Sequence, residues 1–128
     1  GDSNSPQGGD KSQNAHPNNN GGNSNDYWVI KVDSLGNKEW DKRFGGNGFE
    51  YITSILEVSD GGFLLGGESD SNNIGDKTEN TRGQRDGWLI KIDSLGNKIW
   101  DKTLGGHKSE SITDMLELPD GNYLLALN

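Results

Sequence analysis

Apolar and polar positions alternate along the chain in short bursts, and the bursts recur. Trp28, Ile30 and Val32 alternate with Val29, Lys31 and Asp33, the two-residue period of a strand with one strongly apolar face. Ser34-Leu35-Gly36-Asn37 follows, and Gly and Asn tolerate the positive φ that a tight reversal needs, so the spacing predicts a hairpin returning through Trp40, Lys42 and Phe44. Gly45-Gly46 is expected to end it, since residues without a Cβ hold a strand poorly. The whole stretch from Asp26 to Gly46 returns from Asp86 to Gly106, with Trp88, Ile90, Ile92, a turn at Ser94 to Asn97, Trp100 and Leu104 in the same places. Burying one Trp is worth about 4 to 6 kcal/mol at ~25 cal/mol/Å², so such hairpins call for a packed sheet on at least one side.

A second kind of hairpin follows each of these. Ile52, Ser54, Leu56 and Val58 alternate with Thr53, Ile55 and Glu57, Ser59-Asp60-Gly61-Gly62 forms a tight turn, and Phe63 to Gly67 returns as a strand whose two apolar faces imply burial on both sides. Ile112 to Leu118, the Pro119 to Asn122 turn and Tyr123 to Leu127 repeat the arrangement. The first residues are the end of one more unit, because Gly1 to Ser5 aligns with Gly67 to Ser71 and Gly9 to Asn14 with Gly75 to Asn80. The offset falls from 66 to 60 residues across Ala15 to Asn25, a loop six residues longer than Thr81 to Arg85. Lengthening a surface loop in this way costs only a fraction of a kcal/mol in closure entropy. The expected organisation is a tail of a preceding blade plus a long polar loop over 1–25, a first four-stranded repeat with its connecting loop over 26–85, and a second repeat over 86–128.

Four antiparallel strands at a period near 60 residues predict an all-β fold of β-propeller blades. Two blades do not close a ring, so the expected partners are further blades of the same protein or other copies of the chain. Composition agrees with a turn-rich all-β chain: 28% of the 128 residues are hydrophobic and 20 are Gly. A net charge of -8 argues against nucleic acid and acidic lipid surfaces. There is no apolar run of membrane-spanning length, so no membrane insertion is expected, and there is no cysteine to make a disulfide or thiolate site.

The string Asp-Tyr-Trp-Val-Ile-Lys-Val-Asp-Ser-Leu-Gly-Asn-Lys-Glu-Trp-Asp-Lys-Arg-Phe-Gly-Gly, followed by Ser-Asp-Gly-Gly-Phe-Leu-Leu-Gly-Gly, resembles the tandem propeller-like repeats of large secreted and cell-surface proteins of Bacteroidota-type bacteria. The resemblance covers essentially the whole chain. It implies a secreted or surface location, with type IX secretion as the common export route and the secretion machinery as a partner. Asp33 to Trp40 is also similar to the Asp-Gly-Trp hairpins of quinoprotein-type propellers and to the sialidase Asp-box, with different spacing in both. The shared element is a Trp docked beside a Gly turn.

A catalytic group in a repeat protein should break the repeat, whereas a scaffold group recurs in every unit. Asp33 and Asp93, Asp41 and Asp101, Glu50 and Glu110, Asp60 and Asp120 all recur, which assigns them to turns and strand surfaces. His16 and His107 form no metal-ligand pair and are expected in solvent, and no serine sits in a nucleophile elbow. Asp70, Asn72, Asp76 and Asn80 supply oxygen donors of the type calcium selects, although Asx-turns in which Asp76 and Asn80 fix the loop backbone explain the repeated positions without any metal. Tyr27, Phe49 and Tyr51 become Gly87, Ser109 and Ser111 in the second copy, which marks them as candidate ligand-binding residues for a glycan or peptide. The expected function is a non-enzymatic scaffold for adhesion, glycan binding or protein binding. The alternatives are a fragment of a propeller enzyme, a glycan hydrolase or lyase with its active site largely elsewhere, and a secretion cargo bound to its export machinery.

Overall fold

A computed structural model describes residues 2–3, 7–17 and 24–128. The described chain is all-β, with no helix among those residues: β1 (Asp2–Ser3), β2 (Asp26–Val32), β3 (Lys38–Phe44), β4 (Glu50–Glu57), β5 (Phe63–Ser69), β6 (Asp86–Ile92), β7 (Lys98–Leu104), β8 (Ile112–Glu117) and β9 (Tyr123–Leu127). Every expected strand is present, and all pairings between them are antiparallel.

The turns form for the reason the sequence suggested. Asp33 Oδ1 accepts from the backbone N–H groups of Leu35 and Asn37, each at 2.9 Å, while Gly36 takes φ +87°, and Asp93 and Gly96 repeat the geometry. Register shifts also recur in place, between Ile52 and Ser54 and between Ile112 and Asp114. The threonine skipped at each shift turns its hydroxyl to a carbonyl of the partner strand, Thr53 to Gly66 and Thr113 to Ala126, both at 3.2 Å.

The grouping of strands differs from the expected one. Strands of one sequence repeat do not share one sheet; the strand order is β1-β2-β3, then β4-β5-β6-β7, then β8-β9. The complete sheet therefore joins the second hairpin of the first repeat to the first hairpin of the second. Phe63 pairs with Ile92 and Ser69 with Asp86 in full register between β5 and β6. Periodicity fixes the hairpins but is blind to phase, because any cut through a tandem array has the same period. β1 confirms the phase: Asp2 opposes Tyr27 and Ser3 opposes Asp26, as Glu68 opposes Gly87 and Ser69 opposes Asp86.

The sheets lie face to face. Tyr27, Val29 and Phe44 of the first pack on Leu65, Trp88, Ile90 and Ile92 of the second. Leu64 and Leu89 on the opposite face of the second pack on Ile112 and Met115 of the third. Sandwiched in this way, β6 is buried at all seven residues. In β5 the predicted two-sided burial holds, and its glycines explain the close approach: a Cβ on Gly66 would lie 2.8 Å from Met115 Sδ, and one on Gly67 2.8 Å from the Tyr27 hydroxyl oxygen.

Candidate interaction surfaces

The acidic residues that recur do structural work. Trp28 Nε1 donates to Asp41 at 3.1 Å and Trp88 Nε1 to Asp101 at 3.0 Å. Each carboxylate also accepts from a lysine three residues earlier, Lys38 or Lys98, and from the backbone of a polar loop, Ser12 or Thr78. Burial alone would raise both acids, but these donors outweigh it and hold Asp41 and Asp101 below the ordinary carboxylate range. The loops are thus pinned to β3 and β7 at equivalent positions.

Three of the four candidate calcium ligands, Asp70, Asp76 and Asn80, accept a backbone hydrogen bond through their side chains, and Asn72 accepts one through its main-chain carbonyl. Asp70 Oδ1 accepts from Phe49 N at 2.6 Å, Asp76 Oδ2 from Gly45 N at 3.0 Å, and Asn80 Oδ1 from Asn73 N at 2.9 Å, while the Asn72 carbonyl accepts from Ile74 N at 2.7 Å. Among the described residues, no group of three or more His, Asp or Glu side chains is placed to hold a metal ion.

His16 is not the solvated residue the sequence suggested. It is half-buried, its Nδ1 lies 3.0 Å from Asp26 Oδ2, and the Arg43 guanidinium lies against its ring. Ser24 donates to the other oxygen of Asp26 at 2.7 Å. Serine, histidine and aspartate therefore meet here, but wired for structure: serine and histidine both turn to the carboxylate, and the serine is fully buried. A nucleophile needs its base within reach of its own oxygen. The paired glycines nearby have a sharper reason than strand ending, since a Cβ on Gly45 would meet Asp26 Oδ1 at 2.3 Å, and one on Gly105 would meet Asp86 Oδ1 at 2.7 Å.

The single-copy aromatics separate. Tyr27 is fully buried, its ring tilted at 43° against that of Trp88 with centroids 5.0 Å apart and its hydroxyl donating to the Trp88 carbonyl at 3.1 Å, and burial pushes its pKa well up. It belongs to the packing between sheets rather than to a solvent-facing groove. Tyr51 and Phe49 sit at the start of β4, where Phe49 is exposed and Tyr51 half-buried. Arg85 lies over the Tyr51 ring at 5.2 Å and bonds Glu68 at 2.7 Å, a contact that raises the guanidinium further. Sequence reasoning missed Arg85, although the criterion that found Tyr51 applies to it, since Asn25 stands at the equivalent position.

Exposed apolar side chains lie at both ends of the stack. Trp88, Ile90 and Ile92 are wholly buried, while their counterparts Ile30 and Val32 are 38% and 51% exposed. At the other end Leu64 is wholly buried and its counterpart Leu124 is 56% exposed. Ile55, 53% exposed, lines a depression with Val29, Ile30, Lys31, Trp40 and Phe63, while its counterpart Met115 is buried. Ile30, Val32, Ile55 and Leu124 thus stand where the middle of the molecule has a neighbouring sheet, whereas Leu35, Leu95 and Ile99 are exposed in either setting.

The molecule defined by these features is an all-β protein of stacked antiparallel sheets with open ends. No family model matches the chain, and no curated protein matches it.

Proposed function

We propose that the chain is a non-enzymatic segment of a β-propeller-type array, a rigid scaffold that presents single-copy side chains to a glycan or protein ligand. The observation that carries this reading is the contrast between a middle sheet covered on both faces and equivalent faces left open at both ends. A second feature supports radial stacking: β4 and β8, at one edge of their sheets, approach each other closely, while among the described residues β7 at the opposite edge makes no comparable backbone approach to another sheet. The resemblance to repeats of secreted Bacteroidota-type proteins supports a secreted or cell-surface location, with type IX export as its route. The binding face is the patch of Phe49, Tyr51, Glu68 and Arg85, which joins aromatic surface to a charged pair of the kind that recognises sugars and peptides.

Glycan and peptide arrays probed with the purified chain test this. The expected result is a retained ligand that Tyr51→Ala weakens about tenfold with the fold intact, and no product released. Cleavage of a bound glycan would overturn the scaffold reading in favour of an enzyme fragment.

A further inference from the structure

Two loops that link successive units meet at His16, and its setting differs from that of its counterpart. His16 N donates to Asp26 Oδ2 at 2.8 Å as Arg82 N donates to Asp86 Oδ2 at 2.7 Å, so the two residues hold the same backbone place. One carries an imidazole and the other a permanent cation. On the neighbouring strand the relation is reversed, with Arg43 in β3 where β7 has Thr103. By the rule that a functional group breaks the repeat, His16 and Arg43 stand out together. We propose that His16 is a pH-sensitive clasp: its Nε2 accepts from Arg43 when the ring is neutral and, once protonated, donates to Asp76, tying the loop 70–80 to the loop 7–17.

The geometry supplies a partner for each state. Nδ1 lies 3.0 Å from Asp26 Oδ2, and a carboxylate only accepts, so Nδ1 carries a proton throughout. A guanidinium only donates, so Arg43, lying against the ring, is met by Nε2 as an acceptor in the neutral imidazole. Asp76 Oδ2 lies 3.9 Å from the same nitrogen, a separation suited to two facing lone pairs and too long for a hydrogen bond. Protonation inverts both contacts. The new Nε2–H faces a carboxylate that it can bond, and the imidazolium faces a guanidinium that it repels.

Little movement is needed for the exchange. A Cβ on Gly75 would lie 3.1 Å from Nε2, so the backbone of the loop 70–80 already runs close against the ring. Asp76 Oδ2 accepts from Gly45 N at 3.0 Å and Asp76 N donates to Gly45 O at 2.8 Å, which holds the carboxylate where the imidazole reaches it. Arg43 is free to leave the ring: its Nε is buried with no partner among the described residues, and its Nη1 lies 3.6 Å from Asp26 Oδ2, which retains it. Two further charges act on Asp26, Lys11 from the loop 7–17 and Glu50 from β4. They are of opposite sign, so the choice of partner for Nε2 rests with Arg43 and Asp76. In the second unit Arg82 keeps its charge and bonds the Thr103 carbonyl at 3.1 Å, so that position does not switch.

Nuclear magnetic resonance of the ring and amide nitrogens between about pH 8 and pH 5, where an imidazole changes charge, tests the clasp. The ring signals are expected to show Nδ1 protonated throughout and Nε2 gaining its proton on acidification. The Gly45 amide signal should shift with the same midpoint, because its acceptor Asp76 Oδ2 gains a charged donor, and the Arg43 side-chain signal should move with it. In Asp76→Ala, His16 still titrates and the Gly45 response is lost. His16→Gln removes both responses, whereas His107→Gln, at an exposed position, leaves both in place. A His16 ring that keeps one charge state across this range overturns the proposal. So does a Gly45 signal that stays still while His16 titrates, or one that still follows His16 in Asp76→Ala.

Discussion

At the scale of single residues, the recurring acids matter for what they hold. Asp101 is buried and accepts from Trp88, Lys98 and both the backbone and the hydroxyl of Thr78. Removing it strands those donors at once, so Asp101→Ala is expected to cost about 3 kcal/mol in urea unfolding, more than a surface acid. The same contacts set an acid limit. A carboxyl whose folded pKa lies below its unfolded value stabilises the fold above the unfolded pKa, near 3.8 here, and that stability is lost as pH falls through the lower folded value. Unfolding followed against pH should therefore show wild-type stability falling below about pH 4, with a shallower fall in Asp101→Ala. A limb equally steep in the variant would mean that other acids control acid unfolding. Glu50 runs the other way: burial raises it against the hydroxyls of Ser69 and Ser71 and the Gly46 N–H, so the fold gains stability as pH falls through its raised value toward the unfolded one near 4.5, before the loss from the aspartates begins.

At the scale of elements, the two Trp-Gly hairpins are alike in sequence and different in setting. Trp40 docks beside a glycine turn, but the turn is that of the following hairpin: its indole N–H donates to the Ser94 carbonyl at 3.2 Å, and a Cβ on Gly96 would lie 3.0 Å from the ring. A Cβ on Gly36 would meet nothing within 4 Å. Both glycines have positive φ, so alanine strains each by about 1 kcal/mol, and only Gly96→Ala adds a clash with Trp40. Thermal melts should rank Gly96→Ala clearly below Gly36→Ala, and equal melting points would remove the Trp40 contact. This is also where sequence reading reached its limit. Alternation and turn chemistry are local, so the strands and the turns at Gly36, Gly61, Gly96 and Gly121 were legible. Pairing of β5 with β6 and docking of Trp40 on the next turn are contacts between repeats, and a period carries no information about which neighbour a face meets. The candidate site divides in the same way: single-copy status singled out Phe49, which is exposed, and Tyr51, which is half-buried, but it also singled out Tyr27, whose ring is buried in the core between the sheets.

At the scale of the whole molecule, burial depends on position in the stack rather than on residue type. Leu64 and Leu124 occupy the same place in successive repeats, one wholly buried and the other 56% exposed. Removing side-chain atoms from a closed core costs both transfer and cavity energy, so Leu64→Ala is expected to lose about 3 kcal/mol. Leu124→Ala in the dilute single chain should lose well under about 1 kcal/mol, since water already reaches the site. Chemical denaturation of the wild type and both variants measures the difference, and equal costs for Leu64→Ala and Leu124→Ala would show that position in the stack does not govern what each leucine contributes.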